Sequence, residues 1–229
     1  MPKLIAERNV DPWKRRLYLP TYSVTESAIY AGTTLQSIGY WNFGGGVAEP
    51  TLEGRERGRS LSYLELVEVA FVATFRRLGV SLQKIRKARD YAAKVLSSQY
   101  PFAELRWKTE GTRMILDLWQ TENEGELKQV IIGDAFGREA WQGMMGDRFF
   151  EFDYEDDLAL VWHLRGRKSP IVIDPRIAFG APMIHGIATW VLRGRWQAGE
   201  GTEDIQEDFG LELTDIEQGL QFEGISIAT

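Results

Sequence analysis

The sequence predicts a mainly α-helical, α+β chain in three parts. Three observations predict it: two helix-start signals crowded around Gly32, strand-like pieces beyond Pro101, and three short helices after Pro170, two of them stopped by Gly. The parts are residues 1–100, a helical head with an N-terminal arm; 101–168, a small mixed α/β region; and 169–229, a trihelical module.

Residues 1–17 are polar and basic, with Trp13 ahead of Lys14-Arg15-Arg16, and read as an arm. Ser23-Val24-Thr25-Glu26 then forms a capping box, in which the Ser hydroxyl and Glu carboxylate satisfy backbone N–H groups at a helix start. Gly32 ends that helix because glycine tolerates positive φ, and Thr33-Thr34-Leu35-Gln36 reads as a second box opening a helix to about Trp41. Two short helices across a tight Gly turn make a helix-turn-helix. Its second helix would enter the major groove, about 12 Å wide, and present Thr33, Thr34, Gln36, Ser37 and Tyr40, while Trp41 belongs to the core. Thr and Ser suit phosphates or base edges, and Gln pairs in bidentate fashion with adenine.

Asn42-Phe43-Gly44-Gly45-Gly46 reads as a hinge, since no Gly-Lys-Ser/Thr follows to make a phosphate loop. Arg55, Arg57 and Arg59 follow, and with Arg15 and Arg16 they are the expected phosphate contacts. Ser62-Tyr63-Leu64-Glu65 opens a strong helix with Leu61, Leu64, Val67, Phe71, Phe75 and Leu78 at steps of three and four. Val69, Ala70, Val72 and Ala73 widen that stripe, so the helix should be buried on most sides. Ser81 starts another, with Leu82, Ile85, Ala88, Ala92 and Val95 inward and Lys84, Arg86, Lys87, Arg89 and Lys94 largely outward.

Beyond Pro101 the expected strands are residues 105–108, 113–118, 130–132 and 158–164, with a turn at Glu110-Gly111 and a helical insert near 137–145. After Pro170 come a strand at 171–173, a segment punctuated by Pro and Gly, and helices at about 189–198, 202–209 and 214–222. Thr214-Asp215-Ile216-Glu217 reads as a capping box.

Charge divides the chain. Residues 1–100 carry 15 Lys/Arg against 9 Asp/Glu, and residues 101–229 carry 12 against 24. A basic part gathers phosphates and an acidic part repels them, so nucleic acid is expected at one end and a protein at the other. Residues 169–229 hold 3 Lys/Arg and 10 Asp/Glu, and their last helix would turn Asp215, Glu217 and Glu223 toward any groove it entered.

Enzyme chemistry finds little support. There is no cysteine, which removes disulfides, thiolate catalysis and Cys-based zinc or iron–sulfur sites. His163 and His185 form no metal pair at one-turn spacing, and no Gly-x-Ser-x-Gly elbow accompanies them. The acidic run 153–157 lacks the glycine of a calcium loop, and Asp174-Pro175 reads as a structural turn. The expectation is a non-enzyme with no cofactor and no metal. Trp107, Trp119, Trp141 and Trp162 suit either core packing or a ligand cage. No apolar run long enough for a membrane span or a signal peptide is seen, so a cytoplasmic protein is expected.

Residues 20–95 resemble the MerR-type winged helix-turn-helix. The likeness runs through Tyr22-Ser23-Val24-Thr25-Glu26, Gly32-Thr33-Thr34-Leu35, Tyr40-Trp41, Arg59-Ser60-Leu61-Ser62-Tyr63 and Leu78-Gly79-Val80-Ser81-Leu82. That family often carries a basic residue ahead of its aromatic pair, where this chain has Ile38-Gly39, so one phosphate contact lacks its usual donor. From Ser169 onward, Asp174-Pro175-Arg176, Gly180-Ala181-Pro182, His185-Gly186, Trp196-Gln197-Ala198-Gly199-Glu200 and Phe209-Gly210-Leu211 resemble the small trihelical family of VapB-type antitoxins that accompany PIN-domain toxins. The resemblance implies a homodimeric repressor that neutralises a PIN ribonuclease and binds its own operator DNA. It offers Asp174, Arg176, Phe179, Trp196, Glu200 and Phe209 as partner-binding residues. The competing expectation is a one-component MerR-like regulator that senses a small-molecule effector.

Overall fold

The computed structural model describes residues 11–45, 50–52, 58–111 and 145–226, which fall into two compact units. Among these residues no helix is long and apolar enough to cross a membrane. The architecture is α+β.

The first unit comprises residues 1–149 and 154–159. It contains α1 (Pro12–Arg16), α2 (Val24–Ala31), α3 (Leu35–Phe43), α4 (Tyr63–Arg77) and α5 (Leu82–Leu96). The caps read from sequence at α2 and α4 are both complete boxes. Ser23 N–H donates to Glu26 at 2.8 Å and Glu26 N–H to the Ser23 hydroxyl at 3.2 Å; Ser62 and Glu65 repeat this at 2.6 and 3.2 Å. Losing a Ser cap costs about 1 kcal/mol. The box at Thr33 is corrected: Thr34 is the cap of α3 and accepts from Ser37 N–H at 3.1 Å, so Gln36 takes no part.

α4 is the centre of this unit, buried without interruption from Leu66 to Phe75. Phe71 and Phe75 meet Phe102 at 6.0 and 5.5 Å between ring centroids, and Trp107 packs against Phe102 at 4.8 Å with its ring tilted by 42°. Residues 105–111, expected as a strand and turn, are helical. The reason is the pairing of neighbours one turn apart. Arg106 bridges Glu110 at 3.2 Å, and the Trp107 ring covers Gly111, where a Cβ would lie 3.1 Å from it. The basic arm is corrected in part, because Pro12–Arg16 is a helical turn that ends on buried Leu17. Arg89, expected outward, is buried against Glu68, and Val95, expected inward, is exposed near the C-terminal end of α5. The expected elements at 113–118, 130–132 and 137–144 lie outside the described residues.

The second unit comprises residues 150–153 and 160–229. Here Phe152 and Asp153 of β1 (Phe152–Glu155), residues 160–163 of β2 (Leu158–His163), β3 (Ile171–Ile173), β4 (Met183–Ile184) and β5 (Ile187–Ala188) form a sheet in sequence order, antiparallel from β2 to β5. Trp162 pairs with Ile173 and Ile171 with Ile184. His185 and Gly186, at φ 48° and 88°, make the two-residue turn of the β4–β5 hairpin, the left-handed pair that matches strand twist. α6 (Thr189–Gln197), α7 (Thr202–Phe209) and α8 (Leu213–Phe222) follow. Ile171, Ile184, Leu192, Ile205, Leu211, Ile216 and Leu220 form their shared core, each such side chain contributing about 1.5–3 kcal/mol. The capping box at Thr214 is corrected: α8 starts one residue earlier, with Glu212 as N-cap and no side-chain cap. The Asp215 carboxylate is held by His185 Nε2 at 3.0 Å.

Candidate functional site

In the first unit, Gly32 at φ 64° turns the chain between α2 and α3, and Thr33 N–H closes the turn on Ala28 O at 2.9 Å. Buried Ile38 and Trp41 anchor one side of α3. The other side carries exposed Thr34, Gln36 and Tyr40 with half-buried Thr33 and Ser37. Thr33, Gln36, Ser37 and Tyr40 line one depression of about 540 Å³, together with Arg76 and Arg77 from the end of α4. No carboxylate lines it.

Sequence reasoning missed the two arginines. Arg77 lies so close to the turn that a Cβ on Gly32 would meet its Nη1 at 3.1 Å, so glycine serves both the positive φ and this approach. Its Nη2 donates to Thr74 Oγ1 at 3.0 Å, and Arg76 Nη1 donates to Val80 O at 2.6 Å. Each guanidinium is thereby oriented and keeps further donors for a phosphate. Of the sequence-expected phosphate contacts, Arg15 is exposed and Arg16 half-buried on α1, and Arg59 is exposed before Leu61. None of the three lines the depression, and Arg55 and Arg57 lie outside the described residues.

In the second unit the six resemblance-derived residues have separate surroundings. Asp174, 5% exposed, accepts from Arg176 Nε and Nη2 at 2.9 and 2.8 Å and from Arg176 N–H, and so locks its own turn. Trp196 and Phe209 pack against the core, and Arg195 lies over Phe209 while bonding Glu200 and Asp208. Phe179, 74% exposed and at φ 54°, is the most solvent-facing of the six.

His163 Nε2 meets Asp153 at 3.0 Å, and Arg167 meets the same carboxylate at 2.6 Å. Partial burial pushes the Asp153 pKa up, but the hydrogen bonds from His163 and Arg167 outweigh it and hold the group below its ordinary 3.8. A carboxyl held low in the folded state adds stability that is complete above its ordinary value and fades as pH falls through the folded one. Asp153→Asn is therefore expected to lower the melting temperature at neutral pH and to flatten its decline below about pH 4; melting curves across the acid range check this. An unchanged decline would show that another carboxylate governs the acid limb.

Three comparisons bear on these units. Residues 171–222 match the family described as "Protein of unknown function (DUF433)". That stretch is β3 to the end of α8. A relative from Mycobacterium tuberculosis, "Putative antitoxin VapB45", is 23% identical over 159 residues, spanning 66% of this chain and 66% of that protein, just under two thirds. The crystal structure of Rv2018 from Mycobacterium tuberculosis superposes with a TM-score of 0.69 at 20% identity. It covers 90% of this chain and 99% of that one, and so supports the fold.

Proposed function

We propose that this chain is the antitoxin of a type II toxin–antitoxin system. It binds its own operator DNA through the α2–Gly32–α3 helix-turn-helix, of MerR-like winged type, and neutralises a PIN-domain ribonuclease through its acidic C-terminal module. It does no chemistry of its own, acts in the cytoplasm, and works as a homodimer, because one short recognition helix reads too few base pairs for an operator. The observation that carries the reading is the contrast in electrostatics. The exposed side of α3 gathers Thr33, Gln36, Ser37, Arg76 and Arg77 without a carboxylate, whereas residues 169–229 hold 10 acidic residues against 3 basic ones. The distant likeness to a protein named a putative antitoxin supports a toxin as the partner.

Co-expression with the product of the neighbouring reading frame tests this. A stable complex in which a ribonuclease is silent is the expected result. A lone, monodisperse protein whose melting responds to a small molecule would instead make it a one-component regulator.

On the DNA side, Arg76 and Arg77 take the place of the basic residue absent before Tyr40-Trp41. Each phosphate contact adds about 0.9 to the slope of log affinity against log salt. Removing both with Arg76→Ala and Arg77→Ala should flatten that slope by nearly two in an anisotropy titration. A slope equal to that of the unsubstituted protein would place the phosphates elsewhere.

A further inference from the structure

The second unit contains six basic side chains: Arg165, Arg167, Lys168, Arg176, Arg193 and Arg195. Four are committed to carboxylates: Arg167 to Asp153, Arg176 to Asp174, Arg193 to Glu223, and Arg195 to Glu200 and Asp208. Among the described residues, Arg165 and Lys168 have no carboxylate partner. Both line the same pocket of about 460 Å³, between the β2–β3 loop and α8.

The rest of that lining is Ser169, Ile171, Gln218, Gln221 and Phe222, again without a carboxylate. In a module so acidic, leaving two cations unneutralised on one pocket, while their four neighbours are each neutralised, concentrates the positive potential there. The arrangement is also partly ordered. The Arg165 guanidinium sits 5.6 Å above the Phe222 ring, which fixes its plane and leaves its edge for an oxoanion. Ser169 Oγ donates to Gln218 Oε1 at 3.4 Å, a long bond that leaves the amide N–H₂ donors of Gln218 for an incoming acceptor. Gln221 follows three residues later on the same face of α8. The volume lies within the range of small-molecule sites, about 300–1,000 Å³.

We propose that this pocket binds a small phosphorylated ligand, with Arg165 and Lys168 holding the phosphate and the Gln218 and Gln221 amides holding the remainder. The proposal stands whether or not the chain neutralises a toxin.

Calorimetric titration of the full chain with inorganic pyrophosphate and with adenosine monophosphate, at constant ionic strength set by chloride, tests it. Saturable binding below about 1 mM is expected. Arg165→Ala and Lys168→Ala should each weaken it about tenfold or more, the effect of one charge-assisted hydrogen bond. Both side chains are exposed, so the melting temperature of the variants without ligand should match that of the unsubstituted protein. Absence of saturation at millimolar concentration, or equal affinity in the variants, would overturn the proposal. So would displacement of pyrophosphate by duplex DNA whose own affinity falls in Lys168→Ala, because the cations would then serve a nucleic-acid backbone.

Discussion

Glu68→Ala is expected to destabilise the first unit by about 3–5 kcal/mol, the cost of stripping one partner from a buried ion pair. Glu68 is 1% exposed; its Oε2 accepts from Arg89 Nε at 2.7 Å and its Oε1 from Phe102 N–H at 2.7 Å. Arg89 Nη2 also donates to Gln99 O at 2.8 Å. One carboxylate thus ties α4 to α5 and to the Pro101–Ala103 turn. Burial pushes its pKa up more strongly than Arg89 and the Phe102 N–H pull it down. The pair is therefore costly to bury and more costly to break. Alanine would leave Arg89 Nε and the Phe102 N–H without their acceptor in an apolar setting, with only Gln99 O still taking a hydrogen bond from the guanidinium. The double variant Glu68→Leu with Arg89→Met should recover much of the loss, since apolar replacements of buried pairs are often neutral or stabilising. Urea melts of the three proteins decide it. A single-variant loss under about 1 kcal/mol would show that water reaches the pair.

Gly219→Leu is expected to unfold the second unit selectively. A Cβ at Gly219 would stand 2.7 Å from Leu192 Cδ1 and 3.0 Å from Ile184 Cδ1, both at 0% exposure. This contact lets α8 lie directly on α6 and β4, which is why glycine occupies a helix interior at a propensity cost of about 1 kcal/mol. Alanine sets that propensity gain against a tight contact. Leucine exceeds any space available and should cost about 3 kcal/mol, the upper end of overpacking. Because Leu192 and Ile184 both belong to the second unit, the proposed function predicts that binding of DNA by the first unit survives while capture of a protein partner is lost. Calorimetry showing one transition lowered and one retained is the expected result. Simultaneous loss of both would show that the units fold as one.

Local signals were legible in the sequence. The boxes at Ser23 and Ser62 depend on residues three apart, and the α4 stripe on spacings of three and four, so both could be read without tertiary information. Where two Thr stood together, the cap fell on Thr34, because Ser37 supplied the N–H one position later. The helix at 105–111 escaped because its evidence is the pairing of Trp107 with Gly111 and Phe102, which four residues of alternating polarity do not reveal. The β4–β5 hairpin hid in a segment of prolines and glycines, although His185-Gly186 carries a left-handed turn. Arg76 and Arg77 looked like an ordinary basic helix end. Only the packing of α4 beside the Gly32 turn brings them to Thr33 and Gln36, more than 30 residues earlier in the chain.

Under the proposed function, the exposed side of α3 reads duplex DNA. Fluorescence anisotropy of the full chain on the DNA upstream of its own gene, followed from low to physiological salt, tests it most directly. Affinity should fall steeply with salt, and Gln36→Ala should lose about a further tenfold on the specific sequence alone, the worth of one bidentate base contact. Affinity that ignores salt, or a Gln36→Ala variant that binds specific and random duplexes as the unsubstituted protein does, would contradict it.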